Sequence, residues 1–209
     1  MTLVTLRQAL RQLEDDGLLS QQPGRGTFVA EPRAAYRLDS LRGFAEDLRA
    51  QGQTVSTQIL GQSLRRPPAW VTGFHGPVAS PGAGGRFLRL ERLRLIAGRP
   101  AVHQLSWIRG DELAETDFSG VSLYAALAER GVVVHRAAET VRPGVLDDAT
   151  AGLLGQPVGT PVFVSDRITY GLDDSALVFD RATILGTALE IRTERAATGL
   201  SMQWSRPLS

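Results

Sequence analysis

The sequence contains no cysteine. Disulfides, thiolate nucleophiles and zinc–thiolate sites are therefore excluded, and the absence fits a reducing cytoplasm. Lysine is missing too, so all 23 basic residues are arginine. Codon usage in a GC-rich genome is the simplest reading of that bias. Without lysine there is no Schiff base and no lysine for a phosphate-binding loop; "PGAGG" also lacks the serine or threonine of such a loop. No run of about 18 apolar residues occurs, so no membrane span is expected. The N-terminus has none of the features of a secretory signal. His75, His103 and His135 are the only histidines and are widely separated, without the i, i+4 spacing of a helical metal pair. They read as structural. No Gly-x-Ser-x-Gly elbow occurs. Neither a metal nor a cofactor is expected.

What remains is 43% hydrophobic and 22% charged, the make-up of a folded globular chain. Its 209 residues suffice for a small domain and a medium one. A net charge of +1 supplies no global attraction to nucleic acid.

Residues 4–16 place Leu6, Ala9, Leu10 and Leu13 on one helical stripe, and Gly17 ends the helix. "SQQPGRGTFVA" reads as strand, tight turn at Pro23–Gly26, and strand. Residues 30–40 read as a linker. A second helix is expected over 39–52, capped by Asp39 or Ser40, and a strand over 54–64. The Pro- and Gly-rich stretch 65–85 reads as an irregular excursion. Strands at 86–98 and 101–109 flank a turn at "GRP". A helix at 122–131, a strand at 132–144, a helix at 147–155, a hairpin over 160–186 and a last strand at 187–195 complete an α+β layout.

Two constellations carry chemistry. In the first, the N-terminal helix presents Thr5, Arg7 and Gln8, side chains suited to base edges in a major groove, and Arg25 sits between Gly24 and Gly26 at a turn suited to a minor groove or phosphates. An ordinary amphipathic helix and hairpin is the alternative. In the second, Arg92 and Arg94 lie two apart on a strand and project from one face. Two adjacent guanidiniums need an anion, a carboxylate or solvent. The alternatives are an anion clamp for a small molecule, or a solvated face with ion pairs to acids such as Glu139.

The stretch "TLRQALRQLEDDGLLSQQPGRGTFVA" resembles the end of the winged helix-turn-helix domain of GntR-family bacterial transcriptional regulators. The resemblance implies DNA contacts by Thr5, Arg7, Gln8 and Arg25, with Gly24, Gly26 and Thr27 shaping the wing. It also implies two preceding helices, so this chain is expected to be a truncated form. Unless another chain covers Leu6, Leu10 and Leu13, the segment is expected to be frayed or misdocked.

The words "RLERLRLIAGRPAVHQLSWI", "SLYAALAERGVVVHRAAETV" and "GTPVFVSDRITY" resemble the UTRA effector-sensing domain of the HutC subfamily, which is similar in fold to chorismate lyase. The expected organisation is a winged-helix remnant over 1–31, a linker over 32–40, and a UTRA-like domain over 41–209 with an antiparallel sheet and flanking helices. The resemblance implies a ligand pocket lined by Arg92, Arg94, Gln104, Ser106, Ser122 and Tyr124. Ser122 also reads as a plain helix cap. Gln104 stands where the module often has a glutamate, and the later hairpin offers Val178, Phe179 and Asp180 in place of another. An anionic effector bearing phosphate or carboxylate is therefore expected over an amino compound. The implied protein is a cytoplasmic homodimeric repressor that is not an enzyme and that binds operator DNA when the two preceding helices are present. A stand-alone ligand-binding module and a chorismate-lyase-like enzyme are the other readings.

Overall fold

A computed structural model describes residues 3–15, 19–22, 24–29, 34–37, 44–73 and 86–192. The chain divides into two compact units, Met1–Ala34 and Ala35–Ser209.

In the first unit, α1 (Leu3–Asp15) is a complete helix rather than a frayed one. Leu6, Leu10 and Leu13 of its stripe are all more than a third exposed. β1 (Leu19–Gln22) and β2 (Gly26–Val29) form an antiparallel hairpin. Gly24 and Gly26 in its turn have φ of 76° and 114°, a backbone that disfavours side chains.

β3 (Ala34–Arg37), a short strand inside the stretch expected to be a linker, starts at the last residue of the first unit and runs into the second. Then follow α2 (Phe44–Ala50), β4 (Val55–Arg65) and α3 (Ala69–Gly73). The short helix α3 lies within the expected irregular excursion; residues 74–85 of that excursion and the expected Asp39 or Ser40 cap fall outside the described residues. β5 (Phe87–Ile96) and β6 (Arg99–Arg109) form a hairpin whose turn is Ala97–Gly98, one residue earlier than the proline suggested. Ala97 and Gly98 have φ of 48° and 78°, the left-handed pair that matches strand twist in a two-residue hairpin. α4 (Leu123–Glu129), β7 (Val134–Val145), α5 (Asp148–Leu154), β8 (Pro161–Gly171), β9 (Ala176–Leu185) and β10 (Leu189–Arg192) complete the order.

Six of these strands make one antiparallel sheet in the order β4-β5-β6-β9-β8-β7, while β3 pairs with β10. Alternation sends the two halves of each strand to opposite faces. One face carries Leu88, Leu90, Ile108 and Val178, which pack with Leu123, Ala126 and Leu127 of α4 and with Leu113 and Phe118. On the other face Leu93, Val162 and Leu185 pack with Ala151 and Leu154 of α5, and Phe87, Trp107 and Phe179 pack with Val71 of α3. Each fully buried large side chain stabilises by about 1.5–3 kcal/mol over exposure. Gln62 ties the segment after β6 to β4 by donating to the carbonyls of Ala114 at 2.6 Å and Thr116 at 3.0 Å.

Candidate functional site

Along the α4-covered face, leucines give way to charged and polar residues. Register fixes which ones meet. Arg92 of β5 stands opposite Gln104 of β6, Gln104 opposite Ala182 of β9, and Ala182 opposite Ser165 of β8. One step along, Ser106 of β6 stands opposite Asp180 of β9, Asp180 opposite Arg167 of β8, and Arg167 opposite Glu139 of β7. A cavity of about 550 Å³, counting its open mouth, lies over these rows. Ala45 of α2 and Ser122, Leu123 and Tyr124 at the start of α4 complete its wall, and Arg94 joins from β5.

The arginines are deeply buried: Arg92 is 1%, Arg94 6% and Arg167 7% exposed. Arg92 donates to Ser106 Oγ at 2.6 Å and lies 3.7 Å from Asp180 Oδ1. Its Nε has no hydrogen-bond partner among the described residues. Arg94 donates to Gln104 Oε1 at 3.2 and 3.3 Å and to the hydroxyl of Thr57. Gln104 Nε2 in turn donates to Asp180 at 3.1 Å, and Ser106 donates to the same carboxylate oxygen. Across the cavity, Glu139 accepts from Arg167 at 2.8 and 3.2 Å and from Ser165. Tyr124 shares a 2.7 Å hydrogen bond with Thr169.

Three guanidiniums thus share the cavity wall with two carboxylates, which leaves one positive charge in surplus. The electrostatics register the deficit. Burial holds the Arg94 guanidinium well below its ordinary pKa, the neighbouring charge of Arg92 pushes it further down, and Asp180 offsets only part. Burial likewise lowers Arg92, against the opposing pull of Asp180. Burial also raises the Tyr124 phenol, which therefore remains a neutral hydroxyl. A buried cation without a counter-charge is costly, so this arrangement favours an added anion.

The structure brings Arg92, Arg94, Gln104, Ser122 and Tyr124 together at one cavity and sets Ser106 beneath them as a link between Arg92 and Asp180. Ser122 is the N-cap of α4, its hydroxyl accepting from Ala125 N at 3.0 Å. Glu139, considered above as a partner for Arg92 and Arg94, pairs with Arg167 instead. Asp180, Ser165, Arg167 and Thr169 were missed as site residues. The signal was present: Ser165, Arg167 and Thr169 alternate along a strand just as Arg92 and Arg94 do. In the first unit, Thr5, Arg7 and Gln8 are exposed in the first turns of α1, and Arg25, Gly26 and Thr27 are exposed at the hairpin turn. Among the described residues no cluster of His, Asp and Glu could hold a metal, and no helix is long and apolar enough to cross a membrane.

A family model described as the UTRA domain matches residues 50–190. The HTH-type transcriptional repressor PhnF of Mycolicibacterium smegmatis is 31% identical over 185 residues, which cover 87% of this chain and 73% of that protein. The HTH-type transcriptional repressor NagR of Bacillus subtilis is 29% identical over 171 residues, covering 80% of this chain and 68% of that one. The crystal structure of PhnF from Mycobacterium smegmatis superposes with a TM-score of 0.74 at 27% identity, covering 95% of this chain and 87% of that chain.

Proposed function

Because the chain belongs to the UTRA-domain family of GntR-type regulators, we propose that it is a ligand-responsive transcriptional repressor acting in the cytoplasm. Its effector is a small anion, bearing a phosphate or carboxylate, seated among Arg92, Arg94, Gln104, Ser122 and Tyr124 with Ser106 in support. The observation that carries this reading is the buried arginine surplus at a single cavity. It lies inside the region matched by the UTRA model.

Operator contact falls to Thr5, Arg7, Gln8 and Arg25, with Gly26 and Thr27 shaping the turn. Arginine and glutamine are the residues that pair bidentately with guanine and adenine. A homodimer would present two such readers to a palindromic site. Effector and operator then oppose or assist each other only through a difference in effector affinity between DNA-bound and free states, and the coupling is reciprocal. The naming of its relatives as transcriptional repressors favours this reading over an enzyme.

The test is a mobility-shift titration of a form of the protein that carries a whole winged helix-turn-helix domain, against DNA from upstream of its own gene, at two salt concentrations. Specific binding that weakens as salt rises is expected, with loss of affinity in Arg7→Ala and Arg25→Ala. In parallel, inorganic phosphate is expected to raise the melting temperature of the wild type and not of Arg94→Gln. Binding no tighter than to unrelated DNA refutes the regulator, and equal phosphate stabilisation of Arg94→Gln refutes the placement of the effector.

A further inference from the structure

We infer that the cavity selects a singly charged oxyanion over a doubly charged one, and that Asp180 sets the preference; the inference rests on reading the cavity as the effector site. Asp180 is 8% exposed and is the only carboxylate among the cavity-lining residues on the side of Arg92 and Arg94. It makes no direct hydrogen bond to either arginine. Its Oδ1 receives Ser106 and Gln104, and those two residues accept from Arg92 and Arg94 respectively. The carboxylate therefore reaches Arg94 through Gln104, and Arg92 both through Ser106 and across a direct 3.7 Å ion pair. It cancels part of their charge while leaving Arg92 Nε without a partner among the described residues.

This arrangement fixes the charge that best completes the site. With Arg167 matched by Glu139, the remaining wall holds two arginines against Asp180. An oxyanion with one negative charge brings the cavity to neutrality. One with two charges is drawn more strongly to both arginines, but it leaves a buried negative excess, doubles its repulsion from Asp180 and gives up far more hydration on entering. At the separations of a cavity this size, each unit of charge near a partly buried carboxylate alters affinity on the order of tenfold or more. The hydroxyls of Ser122, Tyr124 and Ser165 add polar contacts suited to a hydroxylated small molecule.

Two probes of near-identical shape separate charge from fit: dimethyl phosphate, with one charge, and methyl phosphate, with two at pH 8. Dissociation constants are measured calorimetrically on the whole chain. The wild type is expected to bind dimethyl phosphate at least tenfold tighter. In Asp180→Asn, which retains an acceptor for Ser106, the ratio is expected to move tenfold or more toward methyl phosphate. Size differences cancel in that comparison. A second measurement needs no variant. Between pH 8 and pH 5 methyl phosphate gains a proton, its second pKa being near 6 as for other phosphate monoesters. Its binding to the wild type is expected to tighten, with dimethyl phosphate controlling for protein groups. If the wild type prefers the dianion, or if neither Asp180→Asn nor pH moves the ratio, Asp180 has no such role although the effector site stands. If neither probe binds, or if Arg94→Gln binds both as well as the wild type, the effector site itself is wrong and the selectivity falls with it.

Discussion

Glu139 and Asp174 each hold an arginine at 2.8 Å, yet the two pairs should differ several-fold in their contribution to stability. The Arg167–Glu139 side chains are 8% and 10% exposed, whereas Arg136–Asp174 are 46% and 68% exposed. Glu139→Gln leaves the Arg167 guanidinium buried against a neutral amide. Removing one partner of a buried pair costs about 3–5 kcal/mol, and because glutamine keeps an acceptor the lower end, about 3 kcal/mol, is expected. Asp174→Asn removes a surface attraction that solvent screens almost entirely. Asparagine also tolerates the φ of 59° at that position, so no backbone penalty is added. The assay is urea unfolding followed by tryptophan fluorescence. Trp70 and Trp107 lie in the second unit, and their burial change reports its unfolding. With a slope of about 2 kcal/mol per molar urea, the midpoint of Glu139→Gln should fall by about 1.5 M and that of Asp174→Asn by less than about 0.5 M. Equal midpoint shifts would show that burial does not govern these pairs, and the electrostatic account of the cavity would lose its basis.

Two further outcomes test the frame around the site. Burial raises the Asp166 carboxyl, but hydrogen bonds from Arg181 and Arg142 outweigh it and hold the group below its ordinary range. Its contribution is therefore present above about pH 4, where the unfolded side chain is ionised, and is lost as pH falls through the lower folded value. In an acid titration of stability, the gap between wild type and Asp166→Asn should narrow as pH falls below about 4; a gap independent of pH contradicts the assignment. Leu90→Ala removes a side chain with no exposure from the cluster beneath α4 and should cost about 2–5 kcal/mol in urea unfolding, with a cost under about 1 kcal/mol ruling out tight packing of that helix on the sheet.

Strict alternation made the long strands legible, and with them the shared face of Arg92 and Arg94. Caps did the same for α4 and α5, where Ser122 and Asp147 accept from backbone N–H groups three residues on. The short elements were harder. β3 has only four residues, and its partner β10 lies more than 150 positions away, so local pattern carried no hint of the pairing. The same limit hid half of the cavity. Glu139 was visible as an acid, but its partner depends on the register of β7 against β8. Asp180 meets Ser106 across 74 positions of sequence. Periodicity says which way a side chain faces; only the completed strand order says what it faces.

The cavity floor crosses β5, β6, β9, β8 and β7, strands drawn from residues 87 to 185. No single hairpin of the chain contains it. Occupancy therefore requires these five strands to be assembled in register, and an anion present at a hundred times its dissociation constant would deepen the native well of the whole unit by about 2.7 kcal/mol. A guest held by five strands of one sheet resists their sliding past one another, so the first mechanical effect of the ligand would be felt as stiffness across the sheet.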